Sequence, residues 1–304
     1  MTDHHGRDPW MPKRPLRRPL GTSALVAAFV VSFAGSMRAL AQPAPAHDTT
    51  DRFWRAPDGV RIHYTVAGPS TEPAVVLVHG FLGDSRSWGA TPLPARLGAA
   101  GYRVVAVDLR GNGGSDHPTK LAGYTRDAEA RDIIGIARAL KLADYCVVGY
   151  SRGSIITARL LVLDRHVRCA VLGGMGADFT NPDWPRRVAA YRLLAGLPQD
   201  SAAAAPVAGM LRAAEQRGLD RRVLALQQQA QPSTSRAELG RVRRPVLVIA
   251  GDRDQDNGDA SDLAHLIPNA TLAIVPGDHG STVRSPAFAD RVLAFIVSTK
   301  PVKR

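Results

Sequence analysis

The stretch VVGYSRGS, residues 147–154, places Ser151 between Gly149 and Gly153 directly after an apolar run. A Gly-x-Ser-x-Gly pattern fits a serine nucleophile held on a sharp turn, but it also fits an ordinary loop serine that follows a buried strand. At this chain's glycine and serine content the pattern arises by chance on the order of 0.1 times per sequence. The surrounding sequence therefore has to decide between the two interpretations.

Short apolar runs recur on both sides of this stretch and alternate with amphipathic segments. Runs that are apolar throughout are typical of strands covered on both faces, and alternation of strands with helices predicts a parallel sheet with helices on both sides. We therefore expect an α/β fold with a mostly parallel, doubly wound sheet. The predicted strands are residues 74–80, 102–108, 144–150, 167–174, 245–251 and 270–277, and the clearest predicted helices are 125–142 and 285–300.

One interval lacks any strand-like run. Residues 178–244 are rich in alanine, arginine and glutamine and contain five prolines, which indicates helices inserted between two strands. Such an insertion is either a lid over a site or an additional helical layer, and we favour the lid. The predicted core is then residues 58–177 together with 245–299.

Four polar side chains follow predicted strands directly: His79, Ser151, Asp254 and His279. The carboxyl ends of parallel strands meet at one edge of a sheet, so these groups are expected to converge. A serine hydroxyl becomes a good nucleophile when a histidine takes its proton and a carboxylate orients that histidine. Ser151, His279 and Asp254 supply these three groups, in the chain order Ser, Asp, His.

The same edge offers hydrogen-bond donors for a developing oxyanion. Gly149 and Gly153 allow the strand to turn sharply into the next helix, which would place the backbone N–H of Arg152 at the helix N-terminus, where unpaired donors favour an anion. A second donor is expected from the loop after the first predicted strand, and the Phe81 N–H is the candidate.

Taken together, the ordered motifs resemble the α/β-hydrolase fold superfamily from about Asp58 to Ile296. VLVHGFLGDSRSW resembles its oxyanion loop, VVAVDLRGNGGSD its following strand and loop, GYSRG its nucleophile elbow, VLVIAGDRD its acid-bearing strand end, and DHG its histidine loop. The resemblance implies a serine hydrolase that cleaves an ester or a similar acyl bond of a small molecule through an acyl-enzyme. It implies no organic cofactor, and no cluster of histidine, cysteine and carboxylate has the spacing of a metal site.

The resemblance also favours one of the candidate catalytic acids and some of the superfamily's activities over others. It places the acid at the fourth position of Gly-x-x-Asp, which favours Asp254 over Asp252, Asp256 or Asp178. A serine at the elbow argues against the superfamily's epoxide hydrolases and haloalkane dehalogenases, which use aspartate there. Esterases, lactonases, haloperoxidase-like perhydrolases and carbon–carbon bond hydrolases share the serine triad and stay open. A binding protein without activity is a rival from another class, although such members usually lose triad residues.

The other polar and aromatic residues near these motifs are expected to support the loops. His79 is predicted to brace its loop by hydrogen bonds. Asp278 either shifts the pKa of His279 or is only a loop residue, and Trp88 and Phe81 either line an acyl pocket or pack in the core. Structural or solvent-facing roles are expected for His63, His117, Arg110 and Asp116.

The first 41 residues are typical of an export signal. A basic segment with Lys13, Arg14, Arg17 and Arg18 precedes the apolar run ALVAAFVVSFA, and Ala39-Leu40-Ala41 offers a small-x-small cleavage site. An apolar run of about 11 residues is short of the roughly 20 that span a bilayer, so no stable span is expected after cleavage. We expect an exported, periplasmic or secreted protein, with residues 42–57 as a linker.

The distribution of charge limits the kinds of binding partner that the sequence predicts. Residues 1–41 hold six of the lysines and arginines and two of the carboxylates, so roughly +8 of the net charge of +12 stays on the rest of the chain. The basic residues are spread out, without a compact basic motif, which argues against nucleic-acid binding.

Cys146 and Cys169 lie in predicted parallel strands, an arrangement that we expect to leave two buried thiols.

Overall fold

One mixed sheet forms the centre of the structure. The computed structural model describes residues 49–70 and 73–299. In this part of the chain the sheet has eight strands, in the order β1-β2-β4-β3-β5-β6-β7-β8. The strands are Thr50–Arg55 (β1), Arg61–Ala67 (β2), Ala74–Val78 (β3), Arg103–Val107 (β4), Tyr145–Tyr150 (β5), Val167–Gly173 (β6), Val246–Gly251 (β7) and Ala270–Val275 (β8).

Pairing within the sheet is parallel from β4 through β8, and β2 lies antiparallel to both β1 and β4. The strands β3, β4 and β5 and nearly all of β6 and β7 are buried along their length, which is why they are apolar throughout. The prediction of a mostly parallel, doubly wound α/β sheet is confirmed.

Helices cover both faces of the sheet. One core cluster joins one face to the helices Ala128–Ala139, Arg152–Leu163 and Ala260–Leu266, and a second joins the other face to the helices Leu93–Ala99 and Pro286–Ser298. No helix among residues 49–70 and 73–299 has the length and apolar character that crossing a membrane requires. The helices are Leu93–Ala99 (α1), Ala128–Ala139 (α2), Arg152–Leu163 (α3), Pro185–Ala195 (α4), Ser201–Ala204 (α5), Ala208–Gln216 (α6), Arg221–Gln229 (α7), Arg236–Leu239 (α8), Ala260–Leu266 (α9), His279–Thr282 (α10) and Pro286–Ser298 (α11).

The interval between β6 and β7 contains helices and loops only. It holds α4 to α8 and two short 3₁₀ turns, Asp178–Thr180 and Ala205–Val207. Within it, α4 packs against α7. A small apolar cluster joins Leu194 of α4 and Leu224 of α7 to Leu82, which follows β3. The insertion therefore contacts the loop that carries Phe81.

The start of the chain differs from the expected division. Residues 50–55, part of the expected linker 42–57, form β1, which makes a hairpin with β2 around Gly59. The strand is mostly exposed and polar, so no apolar run marks it in the sequence; Phe53 packs under the guanidinium of Arg61, 4.6 Å from the ring centre. The expected export signal, residues 1–41, lies outside the described residues.

The expectation of two free thiols is wrong, because Cys146 and Cys169 form a disulfide. A register shift at the start of β5 pairs Cys146 directly with Cys169 of β6. Directly paired residues point to the same face, and the Cα atoms lie 4.7 Å apart, within the range that a disulfide spans. Adjacent parallel strands can therefore hold the bond here, fully buried under α1 and α11.

Removing this bond should destabilise the fold. The cysteines are 23 residues apart, and closing a loop of that length is worth about 3 kcal/mol of unfolding free energy. The double variant Cys146→Ala/Cys169→Ala should lose stability of that order in urea titrations monitored by circular dichroism. Wild type purified in air, denatured without reductant, should show no titratable thiol; two thiols per chain would contradict the pairing.

Candidate active site

Ser151 occupies a strained turn between β5 and α3. Its φ is 53° and its ψ is −122°, a region that non-glycine residues seldom adopt. The flanking glycines make the turn possible, because a Cβ at Gly149 would overlap the carbonyl oxygen of Gly153, and a Cβ at Gly153 would overlap that of Val78 at the end of β3. The turn thus projects Ser151 at the carboxyl edge of the sheet.

Three of the predicted site residues form a chain of hydrogen bonds. His279 Nε2 lies 2.9 Å from Ser151 Oγ, and His279 Nδ1 lies 2.9 Å from Asp254 Oδ2. An ionised carboxylate only accepts hydrogen bonds, so Nδ1 carries the proton and Nε2 is free to accept from the serine hydroxyl. The Asp254 side chain is 3% exposed, which shields this pair from water.

None of the three alternative carboxylates bonds to His279. Asp252 Oδ1 accepts from the Gly277 N–H, and Asp178 lies beside Gly258 and lines a separate outer groove. Asp256 is exposed, and its backbone N–H donates to Asp254 Oδ1 at 3.3 Å. Among the described residues, Asp254 is thus the acid that contacts the imidazole.

This region also contains a group of possible metal ligands. The ligand atoms of Asp254, Asp256 and His279 lie within 4.8 Å of one another. Both ring nitrogens of His279 are already bonded, one to Ser151 and one to Asp254. A metal ion would have to displace one of these bonds. The arrangement fits proton transfer at the serine better than metal ligation.

Both residues predicted to donate to the oxyanion, Phe81 and Arg152, line the pocket beside Ser151. Arg152 is the first residue of α3, so its N–H has no acceptor within the helix. Phe81 and Ser151 line the same pocket, and Gly80 lies so close that an added Cβ would sit 3.3 Å from Ser151 Cβ. The oxyanion role of the N–H groups of Phe81 and Arg152 stays a prediction.

His79 braces the loop that carries Phe81. Its Nδ1 donates to Gly80 O at 2.8 Å, and its Nε2 accepts from the Leu109 N–H at 3.2 Å. This arrangement requires the neutral ring, and burial lowers the pKa of His79, which favours that form. The loop after β3 is thereby tied to the loop after β4.

Asp278 fixes the start of the short helix α10, whose first residue is His279. Its carboxylate accepts from the N–H groups of Gly280 and Ser281, and Ser281 Oγ accepts from the Asp278 N–H in return. The bonds from Ser281 and Gly280 lower the pKa of Asp278. Tyr150 adds a hydrogen bond from its hydroxyl to His279 O at 2.6 Å. Asp278 and Tyr150 thus hold the backbone that presents the imidazole.

The DLRGNGGSD loop is held by buried charges. Arg110 is 2% exposed and pairs with Asp132 at 2.7 Å and with Asp58 at 2.8 Å. Asp108 accepts from Ser85 N, Gly114 N and His63 Nδ1. The remaining residues with expected supporting roles lie away from the triad: Asp116 accepts from Arg61 N, His117 is exposed, and Trp88 is buried in the core beneath α1.

Sequence reasoning missed the side chain of Arg152. It is 4% exposed and forms a two-pronged ion pair with Glu129 of α2, at 2.8 and 2.6 Å, and it donates to Gln227 O of α7 at 3.3 Å. The only signal in the sequence is a charged residue inside the elbow motif and a glutamate at a buried position of α2. The pair joins the nucleophile turn to the core and to the insertion.

A small pocket opens beside Ser151, with a free volume of about 40 Å³, room for a few water molecules. The core supplies Phe81, Ile155 and Met175 to its wall, and the insertion supplies further lining residues. The lining residues from the insertion are Trp184, Arg186, Arg187, Ala190, Met210, Gln228 and Gln231. Trp184 and Arg186 also line an open groove on their other side.

This fold and site agree with the comparison with known proteins. The model of the alpha/beta hydrolase family matches residues 75–291, which include the serine turn, the acid and the histidine. The chain belongs to the alpha/beta hydrolase family. Epoxide hydrolase 3 of Xenopus tropicalis is 33% identical over 109 residues, covering 36% of this chain and 29% of that protein. The chain spans about a third of the length of the curated relatives it matches.

Solved structures of other hydrolases match over most of the chain. A hydrolase from Pseudomonas aeruginosa PA01 is 26% identical with a TM-score of 0.64, and the match covers 81% of this chain and 98% of that one. An esterase from Rhodococcus sp. ECU1013 is 26% identical with a TM-score of 0.62, covering 82% and 99%. This alpha/beta hydrolase thus shares its fold with whole proteins of similar length.

The lowered pKa of His79 should make stability depend on pH. Below its ordinary pKa of 6.5, the unfolded chain takes up a proton that the folded chain refuses, so the free energy of unfolding falls as the pH falls. The stability lost in His79→Asn should therefore be larger at about pH 7.5 than at about pH 5.5 in urea titrations. The exposed His117→Asn should match wild type at both pH values, and an equal loss in His79→Asn at both would contradict the argument.

Proposed function

We propose that this alpha/beta hydrolase is an exported serine hydrolase that cleaves a carboxylic ester or a related acyl bond. The observation that carries the proposal is the chain of two 2.9 Å hydrogen bonds that joins Ser151 to Asp254 through His279. Ser151 heads a strained turn in a pocket that Phe81 and Arg152 also line, and their N–H groups are the proposed donors to the oxyanion.

In the proposed first step, Ser151 Oγ attacks the acyl carbonyl while its proton passes to His279 Nε2. The carbonyl oxygen takes the negative charge and accepts hydrogen bonds from the N–H groups of Phe81 and Arg152. Asp254 stabilises the imidazolium through Nδ1. When the tetrahedral intermediate collapses, the bond to the leaving group breaks, and His279 gives that group the proton.

The second step releases the acid. Neutral His279 takes a proton from a water molecule, whose oxygen attacks the carbonyl of the Ser151 ester. The new intermediate collapses, the bond to Ser151 Oγ breaks, and the proton on Nε2 returns to the serine. The products are the carboxylic acid and the free enzyme, and no step needs a cofactor.

A hydroxyl nucleophile distinguishes this proposal from epoxide and haloalkane hydrolysis. As the family resemblance implies, members with those activities place an aspartate at the elbow, where this chain has Ser151. The curated relative named above aligns with only part of this chain. The similar structure named an esterase aligns with 82% of it, which supports the ester reaction.

We also propose that residues 178–244 act as a lid. The free volume beside Ser151 is too small for an acyl substrate, and the insertion supplies most of the pocket's covering residues. Trp184 and Arg186, at the start of α4, stand between the pocket and the open groove. A shift of α4 would join the two spaces and admit a substrate.

Two features support export. Residues 1–41 have the order of charge, apolar run and small residues typical of a secretory signal. A buried structural disulfide between Cys146 and Cys169 suits an oxidising compartment, such as the periplasm or the outside of the cell.

The nucleophile can be tested with a fluorophosphonate probe and p-nitrophenyl esters. Wild type should be labelled and should hydrolyse short esters, while Ser151→Ala should lose labelling and reduce kcat on the order of 10⁶-fold, because the triad acts as a unit. Labelled peptides should map to Ser151.

Ser154→Ala is the matched control, because Ser154 lies in the first turn of α3, three residues after Ser151, and its hydroxyl donates to Gly149 O and Gly173 O. It should keep its labelling. Full labelling of Ser151→Ala, or a wild type that neither reacts nor hydrolyses any ester, would refute the catalytic proposal in favour of a binding protein on this fold.

The lid can be tested with esters of graded acyl length. Trp184→Ala should raise kcat/KM for octanoate relative to acetate on the order of tenfold, because it removes the side chain between pocket and groove. Trp54→Ala is the control for loss of a tryptophan far from the site, on β1. An unchanged preference in Trp184→Ala would show that Trp184 does not limit access.

A further inference from the structure

Three arginines line the pocket beside Ser151, and they differ in how their charges are balanced. Arg152 is paired with Glu129 at 2.6 Å. Arg186 Nη2 lies 3.7 Å from Asp256 Oδ2. Arg187, on the first turn of α4, has no carboxylate within ion-pair distance among the described residues. The pocket therefore contains one guanidinium that forms no ion pair among the described residues.

The contacts of Arg187 are backbone carbonyls. Its Nη1 donates to Gln228 O at 3.0 Å and to Gln229 O at 3.3 Å, at the end of α7, and its Nη2 donates to Pro182 O. Carbonyl oxygens at a helix C-terminus orient a cation but do not neutralise it. The side chain is half-buried, and this burial lowers the pKa of Arg187, against a smaller opposing effect of Asp183.

These contacts engage both Nη atoms, and the Nε–H has no bonded acceptor in the described part of the chain. The Nε–H lies parallel to one N–H of Nη2 on the same edge of the guanidinium. This edge is the fork that matches the two oxygens of a carboxylate. The pocket that Arg187 lines also contains the amides of Gln228, Gln231 and Asn257 and several apolar side chains.

We propose that the acyl substrate carries a carboxylate, and that Arg187 binds this carboxylate while Ser151 attacks a carbonyl at the other end of the same molecule. The substrate class is then a monoester of a dicarboxylic acid or a related acyl compound with one free acid group. The inference rests on the proposed function, since it assigns the substrate of the same pocket.

Two chromogenic esters of equal chain length test the inference: mono-p-nitrophenyl adipate, which carries the carboxylate, and p-nitrophenyl hexanoate, which lacks it. Wild type should show a lower KM for the adipate. Arg187→Met should raise the KM for the adipate on the order of 30-fold and leave the KM for the hexanoate within about threefold. Arg187→Lys keeps the charge but loses the fork, and it should recover part of the difference.

Arg192→Met is the matched control, because Arg192 lies on the same helix, outside the pocket lining, and donates to Pro198 O. It should behave as wild type with both esters. If Arg187 only holds α4 against α7, its variants will change the kinetics of both esters alike, and that result overturns the inference.

The wild type alone provides a second test that needs no folded variant. An equal or higher KM for the adipate than for the hexanoate overturns the carboxylate assignment, while hydrolysis of the hexanoate together with fluorophosphonate labelling leaves the proposed function standing. Absence of hydrolysis of both esters, together with absence of fluorophosphonate labelling, overturns the proposed function itself.

Discussion

The positive φ of Ser151 is the constraint on which the rest of the site depends. A non-glycine residue is held in this conformation only where its surroundings leave no alternative. Here the surroundings are the end of β3, against which Gly153 packs without a side chain, and the carbonyl of Gly173, which accepts from the Ser151 N–H at 2.7 Å. The backbone strain is stored where β5 enters α3, and it keeps the hydroxyl at the sheet edge and the Arg152 N–H unpaired. A loop that approaches this turn closely has no room for a side chain at the point of contact, and the residue there is Gly80.

The partners of Ser151 reach it because neighbouring strands end at the same edge. Asp254 follows β7 and His279 follows β8, so neither belongs to the same loop as the serine, and each needs its own support. Asp278 caps the helix that begins with His279, and the Tyr150 hydroxyl holds its carbonyl. The side chain of Asp254 is buried, with 3% of its surface exposed. The geometry of the triad thus depends on local caps and on burial as much as on the sheet.

The sheet and the triad could be predicted because their signals are local. Buried parallel strands are apolar throughout, and the three site residues follow such runs directly. Other features depend on contacts that no local pattern encodes. Strand β1 is exposed and polar, so its pairing with β2 cannot be read from hydrophobicity. The Cys146–Cys169 bond requires a one-residue register shift that only the assembled sheet sets. The pairing of Arg152 with Glu129 joins residues 23 apart on two helices, and its burial depends on the insertion that covers it.

In the insertion, the helix α4 is both the proposed moving part of the lid and the helix that carries the positive charge of Arg187. Gln227 of α7 donates to Arg110 O and receives a hydrogen bond from Arg152 at its own carbonyl, so α7 is fixed to the core. The helix α4 has fewer such bonds to the core: it packs on α7, and Arg187 joins it to the last carbonyls of that helix. Trp184, which closes the pocket, lies three residues before Arg187. A carboxylate bound by Arg187, as proposed, would contact the same turn of α4 that moves in the proposed opening of the lid. The two proposals together predict that binding of an anionic substrate and closure of the lid are coupled through this turn of α4.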